Sequence, residues 1–519
     1  MSSINSYTGD RAQLTKRILW KLDCHILPPL ALLWLCNFID RSNIGNARIA
    51  GLERDAHLHG NQFNTALAVF YASYLIVELP SNIVLKKMRA NRWIPMLVGL
   101  WGVVTTLTAL VHNFSGLLAI RIFLGLCEGG LLPGMILYLS TVYKRHELQL
   151  RVGIFYASAS LSGAFGGLLA TAITKMDGIA GLAGWRWIYI LEGIATVLSS
   201  FIAAYFLPAD ISSATFLTEE ERSFALWRFR SADTVAASVA GPEAPPSLTV
   251  IDSKDEKDTH LPQVAVTNPL NSVDADVLYQ EDEEFEWREV MRGIFDIQTW
   301  LTGMAYFGLI VSLYSYSLFL PTIVSGLGYS GGAAQLHTVP PYVPAAVLTV
   351  VVAFLSDRLQ WRGPFILICL PFAIIGYILA ITAETNTVRY IAVFFMAAGV
   401  YPSGPCILSI LPNNSSGHYK KATTTALQLA VANSGGFVAT FAYTADQAPK
   451  YVRGHTIALA FVSLAWVLVA ANVGYCMWEN KARREGRRAG NLDRYRELRV
   501  NGKTRAPIGD RHPDFRFTL

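Results

Sequence analysis

Four charged residues lie inside otherwise apolar stretches of this sequence, in positions where they could bind ions. Asp40 and Arg41 follow the run LPPLALLWLCNFI, and Arg121 and Glu128 lie in GLLAIRIFLGLCEGGLLPGMILYL. The spacing of Arg121 and Glu128 places both on nearly the same face of a helix, two turns apart. An ionisable side chain at the centre of a bilayer costs about 2.5 to 3.5 kcal/mol, so such residues must pair or line a water-filled cavity.

The chemistry of the four residues suggests two roles. A carboxyl in such a cavity can carry a proton, because burial opposes its charge while a neighbouring guanidinium supports it. An arginine keeps its proton, and its parallel N–H groups match the two oxygens of a carboxylate. We therefore predict that Asp40 and Glu128 bind protons and that Arg41 and Arg121 bind an organic anion. The alternative is a paired network that only holds helices together.

Polar and aromatic side chains in the second half of the chain could complete such a site. We expect one or two of them to contact a ligand and the others to make ordinary contacts between helices. The residues predicted to bind substrate are Tyr314, Tyr401, Gln428 and Asn433, with Tyr316 as a further candidate.

Three other ionisable residues each have more than one interpretation. Glu78 and Glu192 could act as gates or form packing ion pairs, and Glu78 could also anchor the basic loop that follows it. His337 could titrate at about pH 6.5, but a single histidine at a helix start is more often a hydrogen-bonded structural residue.

The composition indicates a membrane protein. Of the 519 residues, 52% are hydrophobic and only 16% are charged, outside the usual range of a soluble chain. The polar N-terminal segment lacks an apolar stretch with a cleavage site, so we predict no signal peptide. Helices of about 20 apolar residues cross a bilayer, and on that basis we predict twelve spans. They start near residues 24, 63, 93, 116, 152, 187, 297, 335, 364, 387, 422 and 455.

Basic residues predict the orientation. They collect in the loops after even-numbered spans, for example Lys86 and Lys87 after the second, which places both termini in the cytoplasm. The predicted segments are a cytoplasmic N-terminus (1–21), a six-helix bundle (22–208), an acidic cytoplasmic linker (209–294), a second six-helix bundle (295–478) and a basic cytoplasmic tail (479–519). Thr218 and Glu221 have the spacing of a helix capping box, and the stretch 241–258 is predicted to be disordered. We expect the basic tail to be solvated charge near anionic lipid.

An offset of 269 residues relates special residues of the two halves. It pairs Pro95 with Pro364, Gly130 with Gly399, Pro133 with Pro402, and Gly166-Gly167 with Gly435-Gly436. The same offset pairs Arg121 and Glu128 with uncharged residues. The two halves are therefore predicted to be structural repeats, with the charge chemistry in the first half.

No pattern predicts an enzyme. GLGYSG fits a nucleotide-binding glycine motif but follows a membrane helix, and RHELQL lacks the second histidine of a zinc-protease motif. All six cysteines lie in apolar stretches and are expected to pack. We expect no catalytic residues, no cofactor and no metal ion.

Several strings resemble one transporter family. They are LDCHILPPLALLWLCNFIDRSNIGNARIAGL, RIFLGLCEGGLLPGMILYLSTVYKRHE, GWRWIYILEG and NNSSGHYKKATTTALQLAVANSGG. Together they resemble the anion:cation symporter family of the major facilitator superfamily, in its fungal allantoate permease branch, and the second half is most similar to nicotinate-transporter-like members. The loop PSNIVLKKMRANRW departs from the acidic loop motif usual in the superfamily.

This resemblance implies a fold and a function. The fold would be all-α, with twelve transmembrane helices in two pseudo-symmetric six-helix bundles. The function would be proton-coupled uptake of a small organic anion such as nicotinate, allantoate, pantothenate or biotin. Charged residues of spans one and four carry coupling and anion binding in such relatives, which corresponds to Asp40, Arg41, Arg121 and Glu128 here.

The expected partners are a small organic anion, a proton and the lipid bilayer, with no nucleic acid. We expect a monomer in the plasma membrane. An exporter or uniporter of an organic acid, or a membrane sensor that does not transport, would be the alternative functions.

Overall fold

The computed structural model describes residues 2–143, 145–235, 286–504, 506 and 508–519. The stretch 241–258, predicted to be disordered, lies outside these residues. The helices that build the fold are α1 (Ser2–Ala47), α2 (Gln62–Met88), α3 (Ala90–Leu107), α4 (Phe114–Glu128), α5 (Leu131–Val142), α6 (Arg145–Ile173), α7 (Gly184–Phe206), α8 (Glu219–Val235), α9 (Trp287–Ile294), α10 (Ile297–Gly326), α11 (Gly331–His337), α12 (Val339–Leu359), α13 (Arg362–Thr382), α14 (Asn386–Asn414), α15 (His418–Ala442), α16 (Val452–Arg484) and α17 (Gly490–Val500).

The helices match the predicted membrane spans. In the part of the chain that the structure describes, nine helical segments are long and apolar enough to cross a membrane. Two of these nine segments each contain two consecutive helices: one consists of α4 and α5, and the other of α11 and α12. The remaining three predicted spans are α2, α6 and α15, which carry more polar residues. The fold is that of a multi-pass, all-helical membrane protein, as predicted.

The two halves repeat the same packing. In the first half, α1 packs on α6, α2 on α4, and α3 on α7. The corresponding pairs in the second half are α10 on α15, α12 on α14, and α13 on α16. The halves meet where α6 contacts α12 and where α15 contacts α2. The three more polar helices therefore lie at the bundle interface, where their polar side chains can face protein instead of lipid.

Glycines related by the predicted offset lie at this interface. A Cβ atom on Gly167 of α6 would come within 2.8 Å of the carbonyl oxygen of Gln335 in the other half. A Cβ atom on Gly436 of α15 would likewise come within 2.6 Å of the Tyr71 ring of α2. Both positions are restricted to glycine by close contact across the interface, which explains why they recur in the two halves.

The bundles contact each other closely at one end. We call the end where α1 enters and α16 leaves the terminal side, and the opposite end the distal side. On the distal side, Asn64 Nδ2 of α2 donates to the carbonyl oxygens of Thr440 at 2.6 Å and Tyr443 at 3.3 Å. Gly45 of α1 lies directly against the backbone of Leu318 of α10. The halves are closed together on the distal side.

The last residues of the chain form a strap, defined here as residues 508–519, across the terminal side of the second bundle. Lys420 of α15 donates to Asp296 at 2.5 Å and to Asp510 of the strap at 2.6 Å. Arg292 of α9 also contacts Asp510, at 3.1 Å, and Arg483 of α16 donates to the Asp510 carbonyl at 2.9 Å. The expectation that this part of the tail is simply solvated is wrong, because buried ion pairs fix it to the bundle.

The predicted capping box forms at the start of α8. The backbone N–H of Thr218 donates to Glu221 Oε2 at 3.0 Å, and the Glu221 N–H donates to Thr218 Oγ1 at 3.3 Å. The same carboxylate accepts from Lys21 Nζ at 2.6 Å and lies 3.1 Å from Arg17 Nε. The beginning of the acidic linker is thus fastened to α1.

Candidate functional site

All four predicted charged residues line one buried pocket. Asp40, Arg41, Arg121 and Glu128 are each at most 7% exposed. Residues of α2 and Leu318 of α10 complete the wall, so both bundles contribute to it. The pocket has room for about one water molecule. A molecule larger than water would therefore fit only if the bundles moved apart.

Arg41 and Glu128 form an ion pair between α1 and α4. Arg41 donates from Nε at 2.8 Å and from Nη2 at 2.5 Å, and both bonds end on Glu128 Oε1. Glu128 Oε2 is buried and has no hydrogen-bond partner among the described residues. The pair is therefore asymmetric, with one carboxylate oxygen doubly bonded and the other available to a proton or a ligand.

Aromatic rings surround the Arg41 guanidinium. Its carbon lies 5.0 to 5.8 Å from the ring centres of Phe38, Phe70, Tyr74 and Tyr314. Such rings attract a cation through their negative faces and keep its charge in place without competing for its N–H donors. Three of these rings belong to the first bundle, and Tyr314 comes from the second.

Asp40 turns away from Arg41 toward α3. Its Oδ2 accepts from Trp101 Nε1 at 2.8 Å and from Thr105 Oγ1 at 3.3 Å. The two donors are four residues apart and so share one face of α3. Adjacent side chains on a helix are about 100° apart, which lets Asp40 contact α3 while Arg41 contacts α4.

Arg121 is the least satisfied charge of the pocket. Its Nη2 donates to the Tyr189 hydroxyl of α7 at 3.4 Å, and its Nε is buried with no partner among the described residues. No salt bridge to Arg121 occurs within that part of the chain. A buried guanidinium with unused donors is suited to bind an anionic oxygen.

The four predicted residues of the second half lie in different places. Tyr314 contacts Arg41, and its hydroxyl donates to Asn433 Oδ1 at 3.3 Å. The Tyr401 hydroxyl is 3.0 Å from Ser317 Oγ, in a cluster with Tyr316 and Tyr342. Gln428 is buried and donates to the Ile407 carbonyl at 3.2 Å. The structure thus places Tyr314 against Arg41 and links Asn433 to Tyr314, but none of the four predicted residues lines the pocket itself.

The three less certain ionisable residues form no salt bridge among the described residues. Glu78 lies 3.4 Å from Asn433 Nδ2, in the other bundle, so its described contact is not the basic loop. Both carboxylate oxygens of Glu192 are buried without a hydrogen-bond partner in the described residues. His337 Nδ1 is 2.8 Å from the Ala333 carbonyl and its ring stacks on Tyr329, as expected for a structural residue.

Sequence reasoning missed the partners of Asp40 and Arg121. Trp101 and Thr105 are two hydrogen-bond donors at helical spacing in a span without charges. This pattern could have predicted that they face a buried acceptor. Tyr189 lies in the quoted string GWRWIYILEG, but nothing in its spacing indicates contact with Arg121.

The fold and the pocket define a class of membrane carrier, and comparison with known proteins identifies it. Residues 30–440 match the family model of the Major Facilitator Superfamily. The chain belongs to this superfamily, which confirms the resemblance seen in the sequence.

Relatives are fungal transporters. The chain is 35% identical to an uncharacterised transporter of Schizosaccharomyces pombe, over 90% of this chain and 85% of the relative. It is 28% identical to a high-affinity nicotinic acid transporter of Saccharomyces cerevisiae, over 97% and 85% of the two chains. Among solved structures, a D-xylose–proton symporter matches with a TM-score of 0.60 at 14% identity, over 86% of this chain and 96% of that one. The structural match supports the fold alone.

Proposed function

We propose that this transporter takes up a small organic anion bearing a carboxylate, together with a proton. The proposal rests mainly on the pocket of two acids and two arginines, in which the described hydrogen bond of Arg121 goes to the neutral hydroxyl of Tyr189. The similarity to a nicotinic acid transporter favours a small monocarboxylate.

Charge balance gives the reason for coupling. Asp40, Glu128, Arg41 and Arg121 sum to zero when all are ionised. An organic anion alone would leave a buried negative charge, which is costly in a membrane. One proton bound with the anion restores neutrality, so the loaded pocket can be closed off from water.

Glu128 is the proposed site of that proton. Protonation converts its carboxylate to a neutral acid and removes the ionic partner of Arg41. The fork of Arg41 then accepts the substrate carboxylate in place of Glu128, and Arg121 donates to the same anion. Asp40 stays bonded to Trp101 and Thr105 and keeps a negative charge near Arg121.

A radiolabelled uptake screen tests the proposal. Small carboxylates, nicotinate among them, are offered at about pH 5 and about pH 7 to cells without carriers of their own. We expect accumulation of at least one carboxylate at the lower pH, abolished by a protonophore. Efflux of preloaded acid without uptake would instead identify an exporter. Binding without flux would identify a sensor.

The proposed location is the plasma membrane, with both termini and the acidic linker in the cytoplasm. Epitope tags at either terminus or in the linker should be inaccessible from outside intact cells and become accessible after permeabilisation. Labelling of one of these tags from outside intact cells would contradict the proposed orientation.

A further inference from the structure

Glu78 of α2 is a buried carboxyl whose described hydrogen bonds lead to the other bundle. It is 7% exposed, and its two oxygens lie 3.4 and 3.5 Å from Asn433 Nδ2 of α15. No salt bridge to Glu78 occurs among the described residues. Its one described partner is therefore a neutral amide across the bundle interface.

Asn433 connects this carboxyl to the candidate site. Its Oδ1 accepts from the Tyr314 hydroxyl at 3.3 Å, and the Tyr314 ring lies 5.0 Å from the Arg41 guanidinium. The Tyr314 ring also stacks on Tyr71 of α2 at 5.3 Å. A continuous set of contacts thus runs from Arg41, through two residues of the second bundle, to Glu78 in the first.

Glu78 lies nearer the terminal side than the Asn64 contacts between the bundles. Glu78 lies about 15 Å along α2 from Met88, at the terminal end of this helix. The Asn64 contacts with Thr440 and Tyr443 lie near the distal end. Opening of the bundles on the terminal side would therefore separate Glu78 from Asn433 while the distal contacts remain.

The charge of Glu78 should decide how easily that separation occurs. A buried carboxylate whose described hydrogen bonds come from a neutral amide lacks the direct compensation that a paired cation or water would give, and Arg41 acts on Glu78 only through space. Opening to the terminal side would hydrate it. A protonated Glu78 carries no such cost and can still accept the hydrogen bond from Asn433. Protonation thus stabilises the closed contact, and loss of the proton favours opening.

We infer that Glu78 is a second proton-binding residue of the transport cycle, which holds the bundles together on the terminal side until it releases its proton there. The inference rests on the proposed function. The described groups that face Glu78 are Tyr74 of its own helix, Tyr314, Asn433 and Arg41. Arg41 is the charged one among them, so Glu78 also senses whether Arg41 is neutralised by an anion.

A cysteine-labelling experiment tests this gate without requiring transport. Leu124 lines the pocket, and Leu124→Cys is introduced after the six native cysteines are replaced by serine. A membrane-impermeant thiol reagent is applied to the terminal side of sealed vesicles at about pH 5.5 and about pH 7.5. The labelling rate then reports opening on that side.

The parent protein should label faster at the higher pH. Glu78→Gln, which stays uncharged, should slow labelling at the higher pH roughly tenfold. In this variant the closed contact with Asn433 no longer buries a negative charge when the pH rises. Asn433→Asp adds a facing carboxylate and should speed labelling. The double variant E78Q/N433D moves the acid to the other bundle and should restore the pH dependence.

A matched control uses the distal contact. Asn64→Asp weakens closure on the opposite side and should slow labelling from the terminal side. Parental labelling rates in both Glu78→Gln and Asn433→Asp would overturn the inference, and if Glu78→Gln is not produced, Asn433→Asp decides alone. Uptake in the same membranes separates the two proposals: lack of carboxylate uptake with the expected labelling pattern contradicts the substrate assignment and leaves the gate standing.

Discussion

Arg41 directs Nε and Nη2 at the same oxygen of Glu128, at 2.8 and 2.5 Å, so this ion pair joins α1 to α4 within one bundle. A rigid rocking of the two bundles would leave the pair intact. In the proposed cycle Arg41 and Glu128 separate, so an event other than bundle motion has to part them. Protonation of Glu128 and arrival of an anion at Arg41 are chemical events that can do so.

Glu128→Gln should mimic the protonated state permanently. We expect loss of proton-driven accumulation, while exchange of substrate already present on both sides continues. Net uptake, counterflow and protein amount are measured in the same membranes. The control is Glu192→Gln, which removes a buried carboxyl that does not line the pocket. Accumulation that still follows pH in Glu128→Gln would contradict the role of Glu128.

A purely structural Glu128 predicts a different result. Breaking a buried ion pair costs about 3 to 5 kcal/mol. Folding, expression and both fluxes would then fall together in Glu128→Gln, and uptake per folded molecule would not change.

Arg121→Lys should weaken substrate binding and leave the protein folded. Lysine keeps the positive charge but lacks the planar pair of donors that binds a carboxylate. We expect a rise of about tenfold in the half-saturating substrate concentration, measured by uptake at normal surface expression. Arg186→Lys is the control, since Arg186 donates to the backbone carbonyl of Val111 at 3.0 Å and should affect stability alone. Parental affinity in Arg121→Lys would assign Arg121 a structural role.

Glu221 should make stability depend on pH. The hydrogen bond from Lys21 holds the pKa of Glu221 below its ordinary value, and the Thr218 N–H contributes in the same direction. Because the folded protein binds this proton less readily than the unfolded chain, the stabilisation is present above the ordinary pKa, roughly 4.3. It is lost as the pH falls through the lower pKa of the folded protein.

Thermal unfolding of Glu221→Gln tests this dependence. We expect a lower melting temperature than the parent at about pH 7 and a difference that narrows toward about pH 3.5. Glu220→Gln removes an exposed acid from the same helical turn and should leave the melting temperature nearly unchanged. An equal effect of both variants at neutral pH would mean that net charge, not the Lys21 contact, matters.

Lys420→Met should loosen the strap. It leaves Asp296 and Asp510 facing each other without their shared cation, which should cost about 2 to 3 kcal/mol. The checks are a lower melting temperature and faster proteolysis within residues 508–519. Lys481→Met breaks an exposed pair with Glu485 and should cost less than about 1 kcal/mol. Unchanged protease resistance in Lys420→Met would show that the strap is held by other contacts.

The fold, and the four charged residues that line the pocket, could be predicted from the sequence for physical reasons. Apolar length limits the number of spans, and the cost of charge in lipid draws Asp40, Arg41, Arg121 and Glu128 into one place. The pairing inside the pocket was not predictable in the same way. Helical spacing suggested that Arg121 and Glu128 share a wall, but it is Arg41 that binds Glu128, through a contact set by how α1 lies against α4.

The second half was less predictable because its candidates carry no charge. Tyr401 and Gln428 resemble Tyr314 and Asn433 in sequence context, and only tertiary packing separates those near Arg41 from those in the interior of the second bundle. The strap escaped prediction for a related reason. A basic tail is usually solvated, and the partners of Asp510 come from helices far apart in the chain.

The polarity of α2, α6 and α15 has a consequence for biosynthesis. A helix of this kind partitions poorly into lipid alone, yet α2 leaves the ribosome roughly 330 residues before its partner α15 begins. During that interval the polar face of α2 must be shielded from lipid by neighbouring helices of its own bundle or by the insertion machinery. Nascent chains truncated before α15 should therefore be preferred substrates of membrane quality control, whatever cargo the finished carrier moves.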